Sequence, residues 1–342
     1  MRIYIAAWYQ TRKAQAVAGT AFAKAAALAD PAHNLESFHY LDKLKQIPDL
    51  VRKDKRKIFL DSGAFSMFTQ GVEVDLKAYA AYVYKNRDII EIASNLDSIG
   101  KLNATQTEAE ATAQRSYDNQ KKLEGWLKPQ GLMVQPVHHV RDPDHWLQRY
   151  IDEGYDYIFL GGMVPESTPV LRKWLDHVWG RYLTNKDGTP KIKVHGFGLT
   201  TTELMFRYPW YSVDSTSWVM TSMFGGCYLD IKQLDGTVKD LKVDFSSRSR
   251  KQEDDDSWHF ERLAPVNQRG VLRRLEELEA DRIKSPEVEA SLEAATGFKQ
   301  GYNPKALAES YGWRDNLNIN FFRRVQERRV DKFVNLQLDL YA

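Results

Sequence analysis

Three aspartates close three β-type runs of this 342-residue chain. Asp61 ends KIFLD, Asp97 ends IIEIASNLD, and Asp214 lies in YSVDSTSW. A carboxylate pair can divide labour at a sugar's anomeric carbon, one as nucleophile and one as general acid/base. A third carboxylate can accept hydrogen bonds from the donor edge of a planar ligand. Taken singly, each aspartate reads first as an N-cap for the segment that follows. Three together, with the glycine pairs Gly161-Gly162 and Gly196/Gly198 at other strand ends, favour chemistry, because glycine lets a flat ligand approach the backbone.

The histidines weigh differently. His138-His139 end the run LMVQPVHH, which also carries Gln135. Neighbours on a strand face opposite sides, so only one histidine can face a barrel centre. A polar histidine bonded inside the barrel is the plainer reading, and the same holds for His195. A metal-dependent hydrolase built on the aspartates is the competing reading, but there is no HExxH and no HxH on a strand. Cys227 stands alone, which excludes an intramolecular disulfide and a multi-cysteine zinc site.

Such side chains need a rigid frame. Short β-type runs cover 2–8, 57–62, 89–97, 132–139, 157–163, 191–198 and 211–218. Amphipathic or alanine-rich stretches lie between them near 12–29, 75–86, 105–126, 143–152, 167–182 and 200–207. This alternation predicts an α/β fold with a parallel sheet, and seven such units predict a TIM-like (β/α)8 barrel. A doubly wound sheet is the alternative, but no glycine-rich dinucleotide fingerprint follows the first strand. In a barrel the polar strand ends converge on the C-terminal face. The pattern then changes: 222–265 reads as an inserted hairpin and loop with Gly225-Gly226 and Asp235-Gly236. Residues 266–342 read as C-terminal helices (near 267–283, 304–311 and 317–336) that close the barrel, and the expectation is one domain over 1–342.

The hydrophobic share of 43% is that of a globular chain, and the length allows one large domain or a domain with an appendage. No apolar run reaches membrane-spanning length, and MRIYIAAW reads as a first strand instead of a leader, so a cytoplasmic protein without membrane partners is expected. A formal charge of +2 announces no global basic field. Local clusters at Arg52–Lys57, Arg248–Lys251 and Arg323, Arg324, Arg328, Arg329 read as solvated faces that keep a weak phosphate reading open. Glu253-Asp254-Asp255-Asp256 reads as an exposed loop.

Four motifs, in order over about residues 57–220, resemble those of tRNA-guanine transglycosylases. DSGAFS at 61–66 is similar to the family's DSGGFQ, and SNLD at 94–97 to the strand that ends in its base-recognising aspartate. YDYIFLGGMVPE at 155–166 resembles its GYAVGGLAVGE segment. HGFGLTTTELMFRYPWYSVDSTSW at 195–218 resembles the stretch that carries its nucleophilic aspartate. The resemblance implies Asp214 as nucleophile and Asp61 as general base, with Ser62-Gly63 after it in the same motif lining the substrate. It implies that Asp97 reads the guanine edge, that the Gly162 N–H beside Gly161 donates to O6, and that Phe65 and His195-Gly196 flank the base, with either His138 or Gln135 contacting O6.

The chain also departs from that family. It lacks the three cysteines and histidine of the family's zinc subdomain, and the Pro-Thr-Arg after the nucleophile. Those losses resemble the DpdA-like DNA transglycosylases, some encoded by bacteriophages, which place 7-deazaguanines in DNA. The implied activity is a cofactor-free, metal-free glycosyltransferase. It exchanges guanine in DNA for a preQ0-like 7-deazaguanine base, in the host cytoplasm if phage-encoded. The same exchange on tRNA, and a non-catalytic nucleic-acid-binding partner subunit, are the alternatives.

Overall fold

The short apolar runs become a ring of parallel strands: β1 (Arg2–Ala6), β2 (Asn34–Ser37), β3 (Ile58–Asp61), β4 (Ile90–Ser94), β5 (Val134–Gln135), β6 (Val137–His139), β7 (Tyr157–Gly161), β8 (Lys193–Gly196) and β9 (Ser212–Ser215). The computed structural model describes residues 1–11, 31–41, 43–72, 75–101, 103–199, 201–233, 235–247, 249, 258–282, 290, 293, 301–328 and 330–333. Around the sheet the order is β5-β4-β3-β2-β1-β9-β8-β7-β6, and every neighbouring pair is parallel.

β5 and β6 are two halves of one strand, parted by Pro136. The Asn95 N–H donates to the Gln135 carbonyl at 2.8 Å, beside β4, while the Phe159 N–H on β7 donates to the Pro136 carbonyl at 2.9 Å. Proline has no N–H to offer a ladder, so the pairing changes partner there. The ring thereby closes as the (β/α)8 barrel that the alternation predicted.

One of its strands escaped the sequence reading. β2, with the sequence NLES, is short and polar, yet it pairs with β1 and β3. Its Glu36 is fully buried, accepts a hydrogen bond from the Tyr9 N–H at 2.7 Å, and is pushed by burial up to about 8.

Alternation along each strand sorts the side chains. Tyr4, Ala6, Leu35, Phe59, Val137, Tyr157 and Phe159 pack together as the barrel's filling, joined by Ile92, Phe197 and Tyr211. Counting by two from Phe59 brings Asp61 to the lumen at the strand end, and from Val137 brings His139.

Connections follow the C-terminal strand ends. α1 (Ala64–Gln70) starts from Gly63, whose φ of 81° is left-handed; a Cβ there would lie 2.5 Å from Ser37 Oγ. Glycine is the residue that fits. α2 (Gln106–Leu127) opens on a capping box between Thr105 and Glu108. α3 (Asp144–Asp152) and α4 (Thr168–Val178) bury Trp146, Leu147, Leu171 and Leu175.

The chain divides into two compact units: residues 1–10, 33–215 and 326–342 form the barrel unit, and 11–32 with 216–325 form the second. The sequence reading drew no boundary after Ser215. In the second unit an antiparallel hairpin, β10 (Gly226–Lys232) and β11 (Val238–Asp244), turns at Asp235-Gly236 inside the segment expected to hold one. Its buried Cys227, Leu229 and Val243 pack with Val271, Leu275 and Trp313. The helices there are α5 (Ser217–Met223), α6 (Pro265–Arg282), α7 (Pro304–Glu309) and α8 (Tyr311–Glu327), the last beginning six residues before the expected 317.

The helical stretch expected at 12–29, the acidic loop 253–256, Arg248, Arg250, Lys251 and Arg329 lie outside the described residues. Arginines of the other two basic clusters are engaged locally. Arg324 donates to Asp230, and the Arg328 guanidinium sits 4.7 Å from the Phe206 ring centre. Arg52 pairs with Asp88 at 2.7 Å, in a segment that leads into the N-terminal end of β3, opposite the face that carries Asp61.

Candidate active site

Asp61, Asp97 and Asp214 meet at the C-terminal end of the barrel, and each sits in a different electrostatic setting. The Asp61 carboxyl is pushed up to about 7, first by burial and then by the charges of Asp97 and Asp214. A 3.0 Å hydrogen bond from the Gly63 N–H works in the opposite direction. Ser37 stands opposite Asp61 in the ladder.

Asp97 accepts hydrogen bonds from the Ser62 hydroxyl at 3.2 Å and from His139 Nε2 at 2.8 Å. Ser62 is fully buried, its N–H donating to Ser94 Oγ at 2.9 Å and its Oγ accepting from the Ala64 N–H at 3.2 Å. On the far side of His139, Nδ1 lies 3.4 Å from Asp142, whose carboxylate also accepts from the His139 N–H at 2.8 Å. Burial alone would lower the pKa of His139, but Asp142 and then Asp97 outweigh it and raise it to about 10. The two carboxylates thus favour the charged form of the His139 ring, whose Nε2 faces Asp97 at 2.8 Å.

Asp214 is 6% exposed. Its Oδ1 accepts from the Gly198 N–H at 2.9 Å and faces His195 Nε2 at 3.3 Å. Tyr4 is its ladder partner on β1. His195 is fully buried among Phe59, Phe159 and Phe197, with ring centres 4.7, 5.2 and 4.8 Å away, and burial lowers its pKa below the ordinary value. Its Nδ1 is 2.6 Å from Ser212 Oγ, which is 2.5 Å from the Tyr157 hydroxyl. His195 thus sits beneath Asp214 as part of the barrel filling, not on an open face.

The glycines serve the same walls. Gly161 stands opposite His139 in the ladder, and a Cβ there would lie 2.8 Å from His139 Cδ2. Gly162 follows with a φ of 69°. Gly196 makes room for the Trp210 ring instead, 3.0 Å from where a Cβ would stand.

His138 turns away from the lumen. It is fully buried against Trp174 of α4, with near-parallel rings 6.3 Å apart, and burial pushes its pKa down to about 4. Gln135, on β5 beside Ser94, has a buried side-chain oxygen with no hydrogen-bond partner among the described residues. The lumen-facing histidine is His139, which the sequence reading did not select.

Two recesses open at this face. One of about 240 Å³ is lined by Phe65, Phe68, His139, Gly162 and Val164. A larger cleft of about 920 Å³ reaches Asp97 and runs past Phe68, Lys101 and Arg115. Neither lining includes Asp61 or Asp214. Phe65 and Phe68, three apart on α1, are 48% and 47% exposed and both line the smaller recess.

The arrangement offers one acid/base group that titrates near neutrality, one carboxylate held by N–H donors, and one acceptor–donor pair beside exposed aromatic rings. Among the described residues no group of three or more His, Cys, Asp or Glu side chains forms a metal cage, and no helix is long and apolar enough to cross a membrane. No protein-family model matches the chain, and no curated protein matches it.

Proposed function

We propose that this protein is a base-exchange transglycosylase that replaces guanine in DNA with a 7-deazaguanine such as preQ0. The observation that carries the reading is the division among the three carboxylates. Environments that push neighbouring carboxyl groups apart assign acid/base and nucleophilic roles. Asp61 near 7 can give and take a proton, as an exchange requires. Asp214, whose Oδ1 is held by the Gly198 N–H and faces His195 Nε2, is placed for attack through its other oxygen.

In the first step an Asp214 oxygen bonds to C1′ as the C1′–N9 bond breaks, and Asp61 in its acid form supplies the proton that the departing guanine needs. In the second, the Asp61 carboxylate takes the N9 proton of the incoming base. That nitrogen then bonds to C1′, and Asp214 leaves as a carboxylate. Two displacements retain configuration. Asp97 accepts from N1–H and the 2-amino group, the Gly162 N–H donates to O6, and Phe65 packs on the base plane. A base read in this way is one turned out of its stack.

The choice of DNA follows the resemblance to the DpdA-like branch. The test offers DNA and tRNA in parallel with preQ0, followed by digestion to nucleosides and mass spectrometry. A deazaguanine deoxynucleoside from DNA, lost with Asp214→Asn, is expected. Product from tRNA alone would keep the chemistry and change the polymer. No product from either polymer, with nucleic acid still bound tightly, would favour a non-catalytic partner subunit.

A further inference from the structure

Four polar side chains form an unbroken file through the barrel filling: Tyr157 on β7, Ser212 on β9, His195 on β8 and Asp214 on β9. The links are 2.5 Å from Tyr157 Oη to Ser212 Oγ, 2.6 Å from Ser212 Oγ to His195 Nδ1, and 3.3 Å from His195 Nε2 to Asp214 Oδ1. Tyr157 is 5% exposed, and Ser212 and His195 are fully buried, so water has little access to the file.

The donor inventory fixes its direction. A carboxylate only accepts, so the proton facing Asp214 must be on Nε2. The rings of Phe59, Phe159 and Phe197 around His195 disfavour a second ring proton, and burial lowers its pKa. Nδ1 is then a bare acceptor and Ser212 must donate to it. The Ser212 oxygen in turn accepts from the Tyr157 hydroxyl, which burial keeps neutral. Every proton in the file points towards Asp214.

We propose that Ser212 and Tyr157 are positioning residues that anchor the Nε2–H ring of His195 through Nδ1 and so hold Asp214 Oδ1, leaving Oδ2 to attack. The catalytic part of this proposal rests on the transglycosylase reading; the tautomer does not. Neither Ser212 nor Tyr157 would touch the substrate. Without the Ser212 hydroxyl, Nδ1 loses its donor in a dry site. Asp214 would still hold the proton on Nε2, but the ring would lose the hydrogen bond that fixes its other edge, and with it the placement of Asp214 Oδ1.

The experiment is nitrogen NMR of histidine-labelled protein, with His195 assigned by difference against His195→Asn. Wild type is expected to show a protonated Nε2 and a bare Nδ1. Ser212→Ala should move the Nδ1 signal towards that of a ring nitrogen without a hydrogen bond, Tyr157→Phe should do so partly, and Ser212→Thr, which keeps the hydroxyl, should restore the wild-type signature. An Nδ1–H tautomer in wild type, or an unchanged signature in Ser212→Ala, overturns the proposal. If Ser212→Ala fails to fold, Tyr157→Phe, which keeps the ring, carries the same comparison, and an unchanged signature there overturns it.

The paired readout is the rate of covalent trapping on DNA at saturating substrate. Ser212→Ala should slow it by about tenfold to a hundredfold through misplacement of one oxygen, with DNA affinity unchanged. Ser212→Thr should recover it. A shifted Nδ1 signal with an unchanged trapping rate removes the positioning role. Absence of trapping in wild type removes the function proposed above, while the ring signature still decides the tautomer.

Discussion

His139 and His195 stand on β6 and β8, either side of β7, and present the same ring atom, Nε2, to different aspartates. What lies behind each ring sets its charge. A carboxylate, Asp142, backs His139 and raises its pKa; only a hydroxyl, Ser212, backs His195, whose pKa burial lowers. Asp97 therefore meets a counter-charge and Asp214 does not.

The raised pKa of Asp61 predicts a trade between stability and chemistry. Its ordinary value is 3.8 and its folded value about 7, so the folded state binds the proton more tightly. Its favourable contribution is complete below 3.8 and is lost as pH rises to 7. Asp61→Asn should stabilise the fold at pH 8 relative to pH 5, by the order of 2 kcal/mol, and abolish exchange. Thermal unfolding of both proteins across that range checks it; equal pH dependence would remove the coupling of Asp61 to its neighbours.

Asp142 holds the charge on His139. His139 has an ordinary value of 6.5 and a folded value of about 10, so its pairing stabilises fully below 6.5 and fades as pH rises through 10. In Asp142→Asn the larger of its two opposing charges is gone. Its pKa should fall by about two units or more, followed by proton NMR titration of the ring. Guanine affinity should drop in the same variant. A ring that still titrates near its wild-type value would place the cation's support elsewhere.

Gly161 is predicted to be intolerant of one methyl group. Gly161→Ala would drive Cβ to 2.8 Å from His139 Cδ2, so the ring must move away from Asp97. A loss of about 1–3 kcal/mol in fold stability is expected from overpacking, with at least about tenfold weaker guanine binding. Calorimetric unfolding and equilibrium dialysis measure the two. Unchanged binding would show that His139 does not govern the base seat.

Phe65 and Phe68 should behave in the opposite way. Both are about half exposed, so Phe65→Ala and Phe68→Ala should leave the melting temperature nearly unchanged. If their rings support bases, each should weaken oligonucleotide or base binding by about 1–3 kcal/mol. Fluorescence anisotropy with short guanine-containing strands reads this directly. Affinity equal to wild type in both variants would exclude stacking on α1.

The barrel was legible because its strands are apolar runs with periodic spacing, and Asp61, Asp97 and Asp214 were legible because each ends such a run. β2 was not, since NLES lacks the β-branched and aromatic residues that mark a strand. Its burial comes from the neighbours that close over it. His139 was obscured by Pro136. Val134 and Val137 are both buried although three apart, because the ladder switches between them. A period of two counted from Val134 arrives at His138; counted from Val137 it arrives at His139. Asp142, Ser212 and Tyr157 carried no local signal, because their roles arise only when three or four strands stand side by side.

The packed interior of the barrel has a kinetic consequence. Tyr4, Leu35, Phe59, Val137, Tyr157 and Phe159 fill the ring beneath the carboxylates, so among the described residues the rear of the barrel is closed. Under the proposed exchange, a departing base and an arriving one must pass the same mouth and occupy the same place in turn. Initial rates should then give parallel reciprocal plots, and free guanine should compete with the deazaguanine while leaving the first displacement reversible.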